Sequence, residues 1–79
     1  MPPKVVEVEA RGTVECFHAE EGWGAIISDA MEGNALVHFS MIETSGFRAL
    51  RAGQHVEFRF VADRGQDGCT HQATWVRPL

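Results

Sequence analysis

The sequence predicts an all-β fold, five short strands closed into a small barrel, and three observations predict it. Five segments carry strand patterning: strict apolar–polar alternation, or short apolar runs rich in β-branched and aromatic residues and bounded by Gly, Asp or Pro. No segment has the apolar spacing of a long helix. The chain, at 79 residues, is one small domain with little material to cover open sheet edges, so closing the sheet on itself is the direct way to remove them.

The first strand begins where Val6, Val8 and Ala10 alternate against Glu7, Glu9 and Arg11, and "TVECFH" continues it after Gly12. Pro2 and Pro3 give a loose start, so residues 1–9 read as an N-terminal extension that lengthens the first strand, and 10–79 as the barrel. "WGAIIS" is the second strand, the polar "DAMEGN" a connection, and "ALVHF" the third strand. "SMIETSGFRALRAG" lacks alternation and carries Gly46 and Gly53, which leaves room for a single helical turn. The clearest strand is "QHVEFRFVAD", with Val56, Phe58 and Phe60 toward the core and His55, Glu57 and Arg59 away from it. "RGQDG" reads as a hairpin turn, and "CTHQATWVR" as a fifth strand stopped by Pro78.

Composition narrows the function. With 44% hydrophobic and 23% charged residues the chain is a folded globular one rather than a disordered one. "MPPKVVEVEA" has no continuous apolar signal segment and no run is long enough to span a bilayer, so a cytoplasmic protein with no membrane partner and with Cys16 and Cys69 as reduced thiols is expected. The net charge of -4 weighs against non-specific phosphate binding. Residues 1–43 hold two basic and eight acidic side chains (2 - 8 = -6), whereas 44–79 hold five and three (5 - 3 = +2), so an anionic ligand should favour surface from the second half.

Trp23 between Gly22 and Gly24 is the strongest functional signal, a large ring flanked by residues too small to cover it. Alternation puts Trp23 and Ala25 on one face and Gly24 and Ile26 on the other; Leu36 and His38 likewise oppose Ala35 and Val37. An outward Ala25 should meet solvent and tolerate a larger side chain. Trp75 either adds a ring elsewhere on the barrel or packs against the N-terminal extension. Cys16, His18 and His38 share a face, yet no spacing matches a structural zinc pattern, so no metal or other cofactor is expected. Cys16 with His18 is the one nucleophile–base pair, but neighbouring glutamates disfavour a thiolate and no orienting group can be named; catalysis is not expected.

In "GWGAI", "LVHFS", "SGFRALRAGQHVEF" and "QATWVRPL", taken in order and at these separations over residues 11–79, the chain resembles the cold-shock domain family, as a divergent bacterial-type member. The resemblance implies a five-stranded antiparallel OB-type barrel that binds single-stranded RNA or DNA without a cofactor, in RNA chaperones or regulators of gene expression. It implies a contact set of Phe17, Trp23, His38, Phe39, Phe47 and Arg48, with Arg51 a further phosphate contact; Phe17 and Phe39 read equally well as packing residues.

Several positions depart from the family pattern. Gly-x-Val-Lys-Trp-Phe-Asn is here Gly12 to His18, with Glu15 for the lysine and Cys16 for the tryptophan. Lys-Gly-Phe-Gly-Phe-Ile is Glu21 to Ile26, with Glu21 for the lysine and Ala25 for the second ring, and Leu36 replaces the first phenylalanine of Val-Phe-Val-His-Phe. Three lost rings at about 1–3 kcal/mol per stacked base amount to roughly 3–9 kcal/mol if additive. The expectation is therefore weak, weakly sequence-selective binding by a monomer or weak homodimer. The competing reading is a protein-interaction or regulatory module, in which Glu15, Glu20 and Glu21 meet a basic partner and Cys16, Ala25 and Leu36 form an apolar patch.

Overall fold

The computed structural model describes residues 7–44, 49–62 and 69–79. Strands β1 (Val8–His18), β2 (Trp23–Ile27), β3 (Asn34–His38), β4 (His55–Ala62) and β5 (His71–Pro78) close into a barrel in the order β1-β2-β3-β5-β4. A single 3-10 turn, Phe39–Met41, takes over at Phe39, so β3 ends one residue before its sequence pattern suggests. Pro78, expected to stop β5, is its last residue and pairs with Val56. The turn expected over residues 64–68 lies outside the described residues. No helix of the described residues is long and apolar enough to cross a membrane.

Four of the strand pairings are antiparallel, and β3 with β5 is parallel. An all-antiparallel ring is topologically excluded: around five strands direction cannot alternate at every step, so one neighbouring pair must run the same way. The short β3–β5 pairing, Ala35 with His71 and Leu36 with Gln72, is that seam.

β1 holds the barrel together by serving two partners. Val8–Thr13 pair with β4, and Thr13–His18 pair with β2. Gly12 sits at the change of partner, where a Cβ would come within 2.8 Å of the Phe58 ring and 2.9 Å of Ile26 Cγ2. A bulge follows between Val14 and Cys16. It turns Cys16 and His18 to the outer face, opposite Ala25 and Trp23, and Phe17 to the inner face, opposite Gly24. Inside lie Val14, Ile26, Val37, Ile42, Leu50, Val56, Phe58, Phe60 and Val76, with Phe17 packed against them. Val56, Phe58 and Phe60 are core residues, as the alternation of "HVEFRF" requires.

The outer face of β1, β4 and β5 is a charge-and-ring lattice. Glu9, Arg59 and Trp75 form one cross-strand row, and Arg11, Glu57 and Arg77 the next. Arg59 Nε donates to Glu9 Oε2 at 3.0 Å while its guanidinium carbon stands 4.8 Å from the Trp75 ring centre. Arg77 donates to Glu57 at 2.9 Å and lies 5.7 Å from the same ring, whose indole N–H donates to the Glu43 carboxylate. Trp75 thus packs on strand arginines, and Glu9 reaches it only through Arg59. Because these pairs are half exposed their worth is modest: Arg59→Ala should cost about 1 kcal/mol and lower Tm by roughly 4–8 °C, measured by thermal unfolding.

Candidate nucleic-acid interface

The opposite outer face, on β1, β2 and β3, carries two cross-strand rows that differ sharply in chemistry. His18, Trp23 and His38 are register partners and make the first row. Cys16, Ala25 and Leu36 make the second. Partners in an antiparallel pair project side by side from the same face, so each row is a continuous strip across three strands.

The first row is a ladder of rings. His18 and Trp23 have ring centres 4.6 Å apart at an interplanar angle of 47°. His38 is followed by Phe39, whose ring centre is 4.6 Å from the imidazole. Phe39 is 43% exposed, enough to offer a ring face to a ligand although it has left the strand. Gly22 explains its placement. Gly22 has φ of 78°, which favours glycine, and a Cβ there would come within 2.8 Å of Phe39 Cδ1. The Phe39 N–H also donates to the Gly22 carbonyl at 2.8 Å. The glycine before Trp23 therefore seats a neighbouring ring rather than simply uncovering the indole.

Gly24, the other flanking glycine, faces inward, where a Cβ would lie 2.7 Å from Phe17 Cδ1. Phe17 thus shares its face with Gly24 and the fully buried Val37, and the fold does not bring it onto the Trp23 row. Of the sequence-derived contact set, Trp23, His38 and Phe39 come together, while Phe47 and Arg48 lie outside the described residues. Exposed Arg51 stands on a turn tied to β1 through Val14: Gly53 N–H donates to the Val14 carbonyl and Val14 N–H to that of Gln54. His18, by contrast, was not anticipated as a contact. In the sequence the Cys16-x-His18 pair suggests metal ligands or a nucleophile–base pair, and no group of three or more potential ligands exists among the described residues.

The second row corrects the expectation for Ala25, which is only 3% exposed although it is on the outer face. Its methyl group lies between the longer Cys16 and Leu36 side chains, and Glu15 on β1 reaches toward Asn34 on β3, at 3.5 Å, across the intervening strand. A large ring at 25 would have to displace this cover. Leu36, like Cys16, is half-buried.

Electrostatics of the face are set by acids. β2 and β3 contain no lysine or arginine. Glu15, Glu20 and Glu21 are all exposed, and Glu21 Oε2 accepts the Trp23 indole N–H at 2.8 Å. Three of the four arginines in the described residues belong to the lattice around Glu57 and Trp75. Among the described residues, what the face offers is stacking surface with little fixed positive charge.

Comparison with known proteins agrees with the architecture. A family model described as the 'Cold-shock' DNA-binding domain matches residues 10–78. The chain is 42% identical over 67 residues to a cold shock protein of Arthrobacter globiformis, covering 85% of this chain and 94% of that protein. It is 41% identical over 69 residues to a probable cold shock protein A of Mycolicibacterium smegmatis, covering 87% and 97%. A cold shock-like protein of Aquifex aeolicus is 42% identical over 53 residues, covering 67% and 76%.

Proposed function

The chain belongs to the cold-shock domain family, and from that premise we propose that it binds short single-stranded RNA or DNA, weakly and with little sequence preference, as an RNA chaperone or regulator of gene expression. The observation that carries this reading is the His18–Trp23–His38 row with Phe39 beside it, a contiguous set of rings on an outer sheet face. Every base has a π-face, so such a strip grips a strand without reading its sequence, at about 1–3 kcal/mol per stacked base. The neighbouring row of Cys16, Ala25 and Leu36 offers no ring, which shortens the footprint rather than abolishing it. No bond-making chemistry or cofactor is involved. Fast release is what a chaperone needs to melt RNA structure without trapping it.

The test is a titration of labelled oligopyrimidine and oligopurine strands at two salt concentrations. Each phosphate neutralised on a single strand contributes about 0.7 to the slope of log affinity against log salt. Weak binding to both strands with a slope of only about one or two is expected, because rings outnumber cations on the face. Absence of binding at low salt would move the barrel to the alternative role, a protein-interaction module whose exposed Glu15, Glu20 and Glu21 meet a basic partner.

A further inference from the structure

Building on that reading, we infer that His18 is a nucleic-acid contact and that, together with His38, it makes binding on the Trp23 row proton-linked: on protonation the two imidazoles add cations to a face whose strands β2 and β3 carry no lysine or arginine. Both flank the indole as its cross-strand partners, one from β1 and one from β3. A base stacked on Trp23 therefore has an imidazole to either side of it. Both side chains are exposed.

Their positions are fixed by the surrounding backbone. The His18 carbonyl accepts from the N–H groups of Glu21 at 3.1 Å and Gly22 at 2.8 Å, which anchors the turn leading into β2. His38 Nδ1 lies 2.8 Å from Ser40 Oγ and accepts from the Ser40 N–H at 3.4 Å, so Nε2 is the nitrogen left for a ligand.

The charges that face the row are few. Among the described residues, β1 brings Glu15, whose carboxylate reaches toward Asn34 rather than the row, the following turn brings Glu20 and Glu21, β2 and the 3-10 turn bring none, β3 brings only His38, and exposed Arg51 stands on the turn bonded to Val14 of β1. With neutral imidazoles the described charge in contact with the indole is the Glu21 carboxylate. With both protonated the row gains two positive charges. Histidine is the side chain whose charge changes between about pH 5 and 8, and charge-assisted hydrogen bonds to phosphate are roughly twice as strong as neutral ones. Charged imidazoles therefore grip a phosphate more strongly than neutral ones, and affinity rises as pH falls.

The experiment measures the affinity of the whole chain for an oligothymidylate strand, whose bases do not titrate in this range, from pH 8 to 5.5 at constant salt. That window lies above the range in which carboxylates take up protons. Affinity should rise by roughly tenfold or more toward pH 5.5, with a steeper salt slope at the acid end. His18→Gln and His38→Gln should each remove part of that rise, and the double variant, weaker at every pH for the two rings it loses, should show a flat profile. A flat wild-type profile, or an unchanged rise in the double variant, would overturn the inference and leave the proposed function standing. So would a loss in His18→Gln that is equal at every pH, the mark of a plain stacking ring. No binding at any pH would remove the proposed function itself, and the inference with it.

Discussion

Glu21→Lys combined with Leu36→Phe is expected to tighten single-strand binding by roughly ten- to a hundredfold. Leu36 is half-buried on the outer face, two residues from His38 and directly opposite Ala25. A phenylalanine there places a ring in the row that has none, at a half-buried position rather than at the 3% exposed Ala25. Glu21→Lys replaces a carboxylate that repels phosphate by a group that attracts it. It also releases the Trp23 indole N–H, now donated to Glu21 at 2.8 Å. The salt slope should steepen by about 0.7 for the one added phosphate contact. Anisotropy of a labelled strand, read alongside the thermal unfolding midpoint, measures both effects. A folded double variant that binds no better would mean that neither the missing ring nor the acidic rim limits affinity.

Much of this fold was legible in the sequence, because strand alternation is a local property that burial enforces. "HVEFRF" faces Val56, Phe58 and Phe60 inward just as its period-two pattern requires, and Leu36 and His38 share the outer face opposite Ala35 and Val37. The family resemblance, carried by motifs in order along the chain, led to the barrel that these strands form.

What alternation did not encode is the bulge between Val14 and Cys16. Its one extra residue inverts the facing of everything after it, so Phe17 turns inward onto Gly24 while Cys16 and His18 turn outward. Nothing in "TVECFH" marks that inversion, because every residue in it is tolerated on a strand. The Ala25 expectation failed for a different reason. Facing was read correctly, but exposure depends on the lengths of the cross-strand neighbours and on Glu15 reaching toward Asn34, and those meet only once the sheet is assembled. The seat that Gly22 gives Phe39 likewise joins residues that the chain separates and the fold brings together.

Trp23→Ala is expected to lower affinity for a single strand by roughly tenfold to a hundredfold while leaving the barrel folded. The indole is the middle ring of the row, in contact with His18 and cross-strand from His38, and its loss removes about 1–3 kcal/mol for the base stacked on it. Trp23 is not part of the buried core, so the unfolding midpoint should move by only a few degrees. Since Trp75 packs on Arg59 and Arg77 away from this row, Trp75→Phe provides a background in which the remaining indole reports Trp23 alone.

The most direct measurement of the central claim is therefore a paired titration at low salt. Labelled oligothymidylate is titrated with the Trp75→Phe protein and with its Trp23→Ala derivative, and the indole emission of the former is followed in parallel. Quenching of Trp23 along the same binding curve, with affinity lost in the alanine derivative, is the result predicted. Binding that leaves the emission unchanged and survives Trp23→Ala would contradict it and place the ligand on another face of the barrel.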